Sequence, residues 1–411
     1  MLNAPTGFVF SRKHKRLLRK AVVDENGPGT VLHDFEAFLT FAEEGELPLT
    51  GKQQLPRRVL SDLNARLAHP LQIGLTRPLQ KSYPHVHGLY LLLRASGLTI
   101  VEGTDRKPLL VVDGAVRQIW DGLNPTERYC TLLETWLVRG RPQIIGERDR
   151  SWARVPTTFR EVQWFFLPLP DDGLPVAGNK GAEESLRYWP GLHNLALLEL
   201  FGLVAVRHGP PEPGKGWRIE VIERTPLGDA LLAALHAGFF GDVDNILALE
   251  SEDEVPLGVL QPALQPYFPA WQKNLSVPEW AFREGAHVFK VSLGRIWRRI
   301  AIPARLTLDA LASAILNAVR FDHDHLYLFS YRNRFGAEDQ VHHPYMDEGP
   351  WTSEVSIGDV PLRVGQTMTF LFDFGDMWEF DVTLESVDPE MKLKKPVVLE
   401  KHGNPPEQYG W

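Results

Sequence analysis

The chain has 411 residues, 44% of them hydrophobic and 23% charged, an ordinary globular balance that suggests two or three domains. Its single cysteine, Cys130, excludes an intrachain disulfide and any cysteine-based zinc knuckle, and points to a soluble cytoplasmic protein. A formal net charge of −8 argues against a chain built wholly for nucleic acid, while leaving room for a local basic patch.

In chain order, the N-terminus places its charges after a very short apolar run, the reverse of a secretory signal. No apolar stretch approaches the length of a membrane span, so no membrane partner is expected. Residues 1–82 read as a helical region. They open on the basic run Arg12, Lys13, Lys15, Arg16, Arg19 and Lys20. Such a run suits a nucleic-acid arm, although a solvated helix face or tail is the commoner explanation. Leu32, Phe35, Phe38 and Leu39 then recur at helical spacing, and Val59, Leu60, Leu63 and Leu67 mark another helix from Pro56.

Residues 83–165 and 181–250 look like one pattern used twice. In each, an apolar helix ends at Gly97 or Gly202, a residue able to take the left-handed cap conformation. Leu98 or Leu203 and a β-branched strand follow, then a turn and a second apolar strand. Asn124-Pro125 and Thr225-Pro226 each give an N-cap with proline at the first helical position. Helix, Gly-Leu, hairpin and capped helix is the order of a winged-helix unit. The helix before Gly202 offers His193, Asn194 and Glu199, and the one before Gly97 offers His85, His87 and Arg94. Base reading needs polar and basic side chains, so these helices look built for packing. Residues 166–180, rich in Pro and Gly, read as a linker. Residues 251–287 read as a Pro-rich connector that begins with the charge run at 251–254.

From residue 288 to 411 the pattern changes to α+β. Val288–Gly294 and Ile296–Pro303 alternate as strands. Thr307 caps a helix carrying the stripe Leu308, Leu311, Ile315 and Val319. A third strand follows at Leu326–Tyr331. Thr367–Asp373 and Glu379–Glu385 form a hairpin around Gly375, which gives a β-grasp-like helix on a sheet.

Four motifs stand in order here: Ile296-Trp297-Arg298-Arg299, His325-Leu-Tyr-Leu-Phe329, Asp373-Phe-Gly-Asp376-Met-Trp378-Glu379 and Pro405-Pro406-Glu407. In these the last third of the chain resembles the plasmid pRiA4b ORF-three-like family. The resemblance implies a bacterial, mobile-element-associated protein and a candidate surface of Trp297, Arg298, His325, Asp373, Asp376, Trp378, Glu379 and Glu407. It implies no settled reaction. Many family members carry His where this chain has Phe380, and Asp then Gly-Gly where it has Gln408-Tyr409-Gly410-Trp411.

Asp373, Asp376, Glu379 and Asp381 beside Trp378 suit a cation or a carboxylate pair. The simpler account is a tight turn that Gly375 permits, with Trp378 in the core. His323, His325, His342 and His343, with Asp322, Asp324, Asp347 and Glu348 nearby, suit zinc or another divalent metal as cofactor, although no helical metal spacing is present. A solvated loop explains them more simply. Arg298 and Arg299 must point to opposite faces of a strand, so only one can join a given site. These readings favour a non-enzymatic protein that meets an unidentified protein partner, with DNA contact open. The competing reading is a metal-dependent enzyme with its His/Asp site in the C-terminal domain.

Overall fold

The computed structural model describes residues 8–147, 158–250 and 255–409. The charge run at 251–254 and the tail residues 410–411 lie outside the described residues. The chain is α+β and divides into two compact units: Met1–Ile100 with Leu110–Val277, and Val101–Leu109 with Pro278–Trp411.

The first unit is mainly helical. After a seven-residue helix, α1 (Arg12–Leu18), come α2 (Val31–Glu43), the short strand β1 (Leu47–Pro48), α3 (Arg57–Ala65) and α4 (Pro84–Ala95). The hairpin β2 (Thr99–Thr104) and β3 (Lys107–Val112) follows in the chain, with its residues Val101–Leu109 counted in the second unit, then α5 (Gly114–Asp121) and α6 (Pro125–Glu134). The order then recurs: α7 (Thr158–Phe166), β4 (Leu174–Pro175), α8 (Lys180–Tyr188), α9 (Leu192–Leu200), β5 (Val204–His208), β6 (Ile219–Arg224) and α10 (Pro226–Leu235). Both three-stranded sheets run in the order first, third, second: β1-β3-β2 and β4-β6-β5. Strand β4 lies inside the Pro- and Gly-rich stretch and pairs Leu174 with Ile222. Two short helices, α11 (Val243–Glu250) and α12 (Gln261–Leu264), complete the unit.

Local chemistry explains the recurrence. Gly97 and Gly202 take φ of 79° and 70° after α4 and α9, the left-handed conformation that costs glycine least. Asn124 caps α6 by accepting from the Glu127 amide at 3.0 Å, and Glu127 accepts back from the Asn124 amide at 2.9 Å. Thr225 caps α10 from the Gly228 amide at 3.0 Å and donates to the Gly202 carbonyl at 2.7 Å. Both capped helices run on into a five-residue π turn, Thr135–Arg139 and His236–Phe240.

Helices α4 and α9 pack on each other. Every residue of α4 is buried. Gly88 sits at the crossing: a Cβ there would lie 2.8 Å from Leu197 Cγ and 3.2 Å from the His193 carbonyl oxygen. Trp136 stacks on Phe201 with centroids 5.4 Å apart, and its indole N–H donates to Asn194 at 2.9 Å. Cys130, on α6, is buried. Among the described residues no single helix is long and apolar enough to cross a membrane.

The second unit is one antiparallel sheet with a helix on it. Its strands are β7 (Ala286–Leu293), β8 (Ile296–Pro303), β9 (Tyr327–Arg332), β10 (Glu338–His342), β11 (Thr367–Phe372), β12 (Trp378–Asp388) and β13 (Val397–His402). They run in the order β10-β9-β11-β12-β7-β8-β13. Helix α13 (Leu308–Val319) packs on β8, and its stripe Leu308, Leu311, Ile315 and Val319 joins Phe329, Phe370 and Phe380 in the core. Thr307 caps it, as the sequence predicts, accepting from the Ala310 amide.

Candidate functional site

The end of β11 sets the first half of the candidate surface. Asp373 takes φ of 58°, a left-handed conformation in which Asp is enriched among non-glycine residues. Its Oδ1 accepts from the Gly375 amide at 2.9 Å and its carbonyl from the Met377 amide at 2.7 Å. Gly375 is not the pivot the sequence suggests: the positive φ angles fall on Asp373 and Met377. The turn's own hydrogen bonds compensate for that conformation, and they leave Oδ2 of Asp373 facing His325 Nε2 at 3.5 Å.

The other half comes from the segment before β9 and from the tail. Asp324 Oδ1 lies 3.7 Å from His325 Nε2. Tyr409 donates to Asp324 Oδ2 at 2.6 Å, and its hydroxyl is 3.5 Å from His325 Nε2. Gln408 accepts from the Asp322 amide at 2.6 Å, which holds the tail against this segment. The hydrogen bond to Asp324, aided by burial, pushes the Tyr409 phenol up to about 12, and the same bond lowers the Asp324 carboxyl. The result is an imidazole between two carboxylates, held by contacts longer than a good hydrogen bond. Leu326, Phe374, Met377 and Tyr409, adjacent in sequence to these groups, are 38–51% exposed. Charge and apolar area stand side by side.

The remaining sequence-predicted residues divide. Asp376, Glu379, Asp381 and Glu407 are exposed. Trp378 packs edge-on against Phe321 at 5.0 Å, beside the core. Arg298 and Arg299 point to opposite faces, and neither bridges to the turn aspartates. Buried Arg298 donates to the carbonyls of Ala318, Trp297 and His402 at 2.8–3.0 Å. Arg299 pairs with Glu385 and Glu400. Trp297 stacks on His402.

The four histidines have separate partners. His323 meets Asn317, His342 meets the Glu348 carbonyl, and His343 packs on Tyr327. Among the described residues, none of them belongs to a group of three His, Cys, Asp or Glu side chains whose ligand atoms lie within 4.8 Å of one another.

Residues 287–411 match the family described as Plasmid pRiA4b ORF-3-like protein. This segment is a plasmid pRiA4b ORF-3-like domain. Its sequence is 30% identical over 119 residues to the uncharacterized protein y4hQ of Sinorhizobium fredii, a match that covers 28% of this chain and 59% of the relative. The chain thus spans less than two thirds of that relative's length. A solved protein of unknown function from Methanosarcina mazei, MM3350, shares 25% identity over 29% of this chain and 69% of its own, with a TM-score of 0.27. Phe380, at the position where many ORF-3-like relatives carry His, is buried against Phe370 and Phe321. That position faces the core of the ORF-3-like domain and not its His325 surface.

Outside the ORF-3-like domain, all six cations of the basic run are exposed, on or just after α1. The first unit also holds a cluster that sequence reasoning missed. His85 Nε2 lies 2.8 Å from Glu199 Oε2, and His208 Nε2 lies 2.7 Å from Glu199 Oε1. Burial alone would raise the Glu199 carboxyl, but hydrogen bonds from His208 and His85 outweigh it and hold it at about 2. His85 and Glu199 stand 114 residues apart in sequence, so no spacing motif announces them. The only signal was that both are polar residues on the apolar helices of the repeated pattern.

Proposed function

We propose that the protein is a non-enzymatic interaction protein, with a tandem pair of winged-helix-type units beside an ORF-3-like domain that meets a protein partner. Two features support the winged-helix reading: the order helix, strand, helix, helix, hairpin occurs twice, and both sheets share one strand order. The observation that carries the interaction reading is the burial of α4. A winged-helix DNA reader lays its third helix in the major groove. Here that helix is buried along its whole length and packs on its counterpart α9, so neither offers a free face of cations to bases.

On the ORF-3-like domain, the partner surface is the Asp373–Glu379 turn with His325, Asp324 and Tyr409. Exposed aromatic and Met side chains are enriched in the cores of protein interfaces, where charged groups fall to the rim. The plasmid in the family's description supports a place on mobile elements. Affinity purification of the full chain from cells that naturally carry it tests the reading. A protein recovered in stoichiometric amount, and lost with Phe374→Asp plus Met377→Lys, is expected. Equal recovery with that double variant, or recovery of nucleic acid alone, would count against it.

A second reading rests on one observation: six exposed cations lie within nine residues at α1. DNA contact, if made, falls to this segment and is electrostatic and independent of sequence.

A further inference from the structure

The first unit carries a ligand set that the interaction reading does not use. We propose that His85, Glu199 and His208 bind one divalent cation of the zinc class, which ties α4 of the first repeat to α9 and β5 of the second.

The geometry comes first. His85 stands in the first turn of α4, Glu199 near the end of α9 and His208 at the end of β5. Their ligand atoms all lie within 4.8 Å of one another, and among the described residues this is the grouping of its kind. Zinc binds imidazole nitrogen at about 2.0–2.1 Å and carboxylate oxygen at about 2.0–2.2 Å, so tetrahedral ligands sit roughly 3.3–3.5 Å apart. The two imidazoles now meet different oxygens of Glu199, at 2.8 and 2.7 Å, so one ion between them would take the carboxylate through both oxygens, or through one after a side-chain rotation. Two histidines and one glutamate, with a water as fourth ligand, is an established zinc set.

The surroundings point the same way. Trp217 packs edge-on against both rings, 4.9 Å from His85 and 5.6 Å from His208, and shelters the cluster. The side chains of His208 and Glu199 keep 31% and 22% exposure, which leaves room for water to reach the ion. Among the described residues no lysine or arginine pairs with Glu199; its partners are the two imidazoles. A divalent ion would place a fixed positive charge beside the carboxylate, which no Lys or Arg among the described residues supplies. His85 Nδ1 and the Trp217 indole nitrogen are both buried with no hydrogen-bond partner, so the site is not a saturated hydrogen-bond network. Metal at Nε2 places the proton of each ring on Nδ1, so binding by neutral imidazoles needs only a change of tautomer.

The test uses the full chain, stripped with a chelator and titrated with zinc or cobalt(II). Wild type should take up one equivalent of zinc by elemental analysis, show a saturable visible cobalt band, and melt at higher temperature when loaded. Glu199→Gln keeps a carbonyl oxygen toward the two imidazoles, and His208→Asn alters a partly exposed position. Both should remain folded by circular dichroism and lose the cobalt band and the melting shift. The proposal is overturned if wild type binds neither ion at millimolar concentration, or if both folded variants bind as wild type does.

Discussion

Arg298 shows how a residue that looks functional in sequence can belong to the frame. Its guanidinium reaches the Ala318 carbonyl near the C-terminal end of α13, where backbone oxygens lack helical partners and a cation is favoured. It also holds the Trp297 and His402 carbonyls and so joins α13, β8 and β13. Arg298→Met should therefore destabilise the ORF-3-like domain by about 2–3 kcal/mol, read by urea unfolding, because buried acceptors lose their donor. Unchanged stability would place the residue outside the frame. His287 on β7 gives a pH prediction. Burial first, then the Arg283 guanidinium, hold its pKa down to about 4 against an ordinary 6.5. The unfolded chain thus binds the extra proton between these values. Stability is fully present above about pH 6.5 and falls as pH drops toward 4, by on the order of 2–3 kcal/mol. His287→Leu should flatten that slope; an unaltered slope would show that another group sets it.

At the scale of elements, the packing of α4 on α9 rests on Gly88. Gly88→Val puts a branched side chain where even a Cβ would lie 2.8 Å from Leu197, so overpacking should cost about 1–3 kcal/mol despite better helix propensity. A stabilised variant would mean that the two helices part easily. Much at this scale was legible in the sequence. Gly97 and Gly202 after apolar helices and the Asn-Pro and Thr-Pro caps each rest on local backbone chemistry, and the structure places them so. Strands β10 and β13 escaped because edge strands need no second buried face. Glu338-Asp-Gln-Val-His and Val397-Val-Leu-Glu-Lys-His lack the alternation that marks a half-buried strand. Strands β1 and β4 escaped because two residues carry no periodicity. In the candidate surface, the turn at Asp373 was legible from its residue types. The approach of Tyr409 to Asp324 was not, since it depends on how the tail returns across 85 residues.

At the scale of the whole molecule, a recurring helical half and an antiparallel ORF-3-like domain give two units with different surfaces. In the first, helices α4 and α9 pack on each other. The proposed ion at His85, Glu199 and His208 would reinforce that pairing. In the second, charged and apolar groups remain at the surface around His325. Fluorescence anisotropy of labelled duplex DNA with the full chain, at about 50 and 200 mM salt, most directly tests whether the tandem units act as a scaffold. The expected result is no preference among sequences, with any low-salt binding abolished when Arg12, Lys13, Lys15, Arg16, Arg19 and Lys20 are replaced by Ser. Sequence-selective binding that survives those replacements would contradict it, because α4 and α9 would then have to be free to enter the groove.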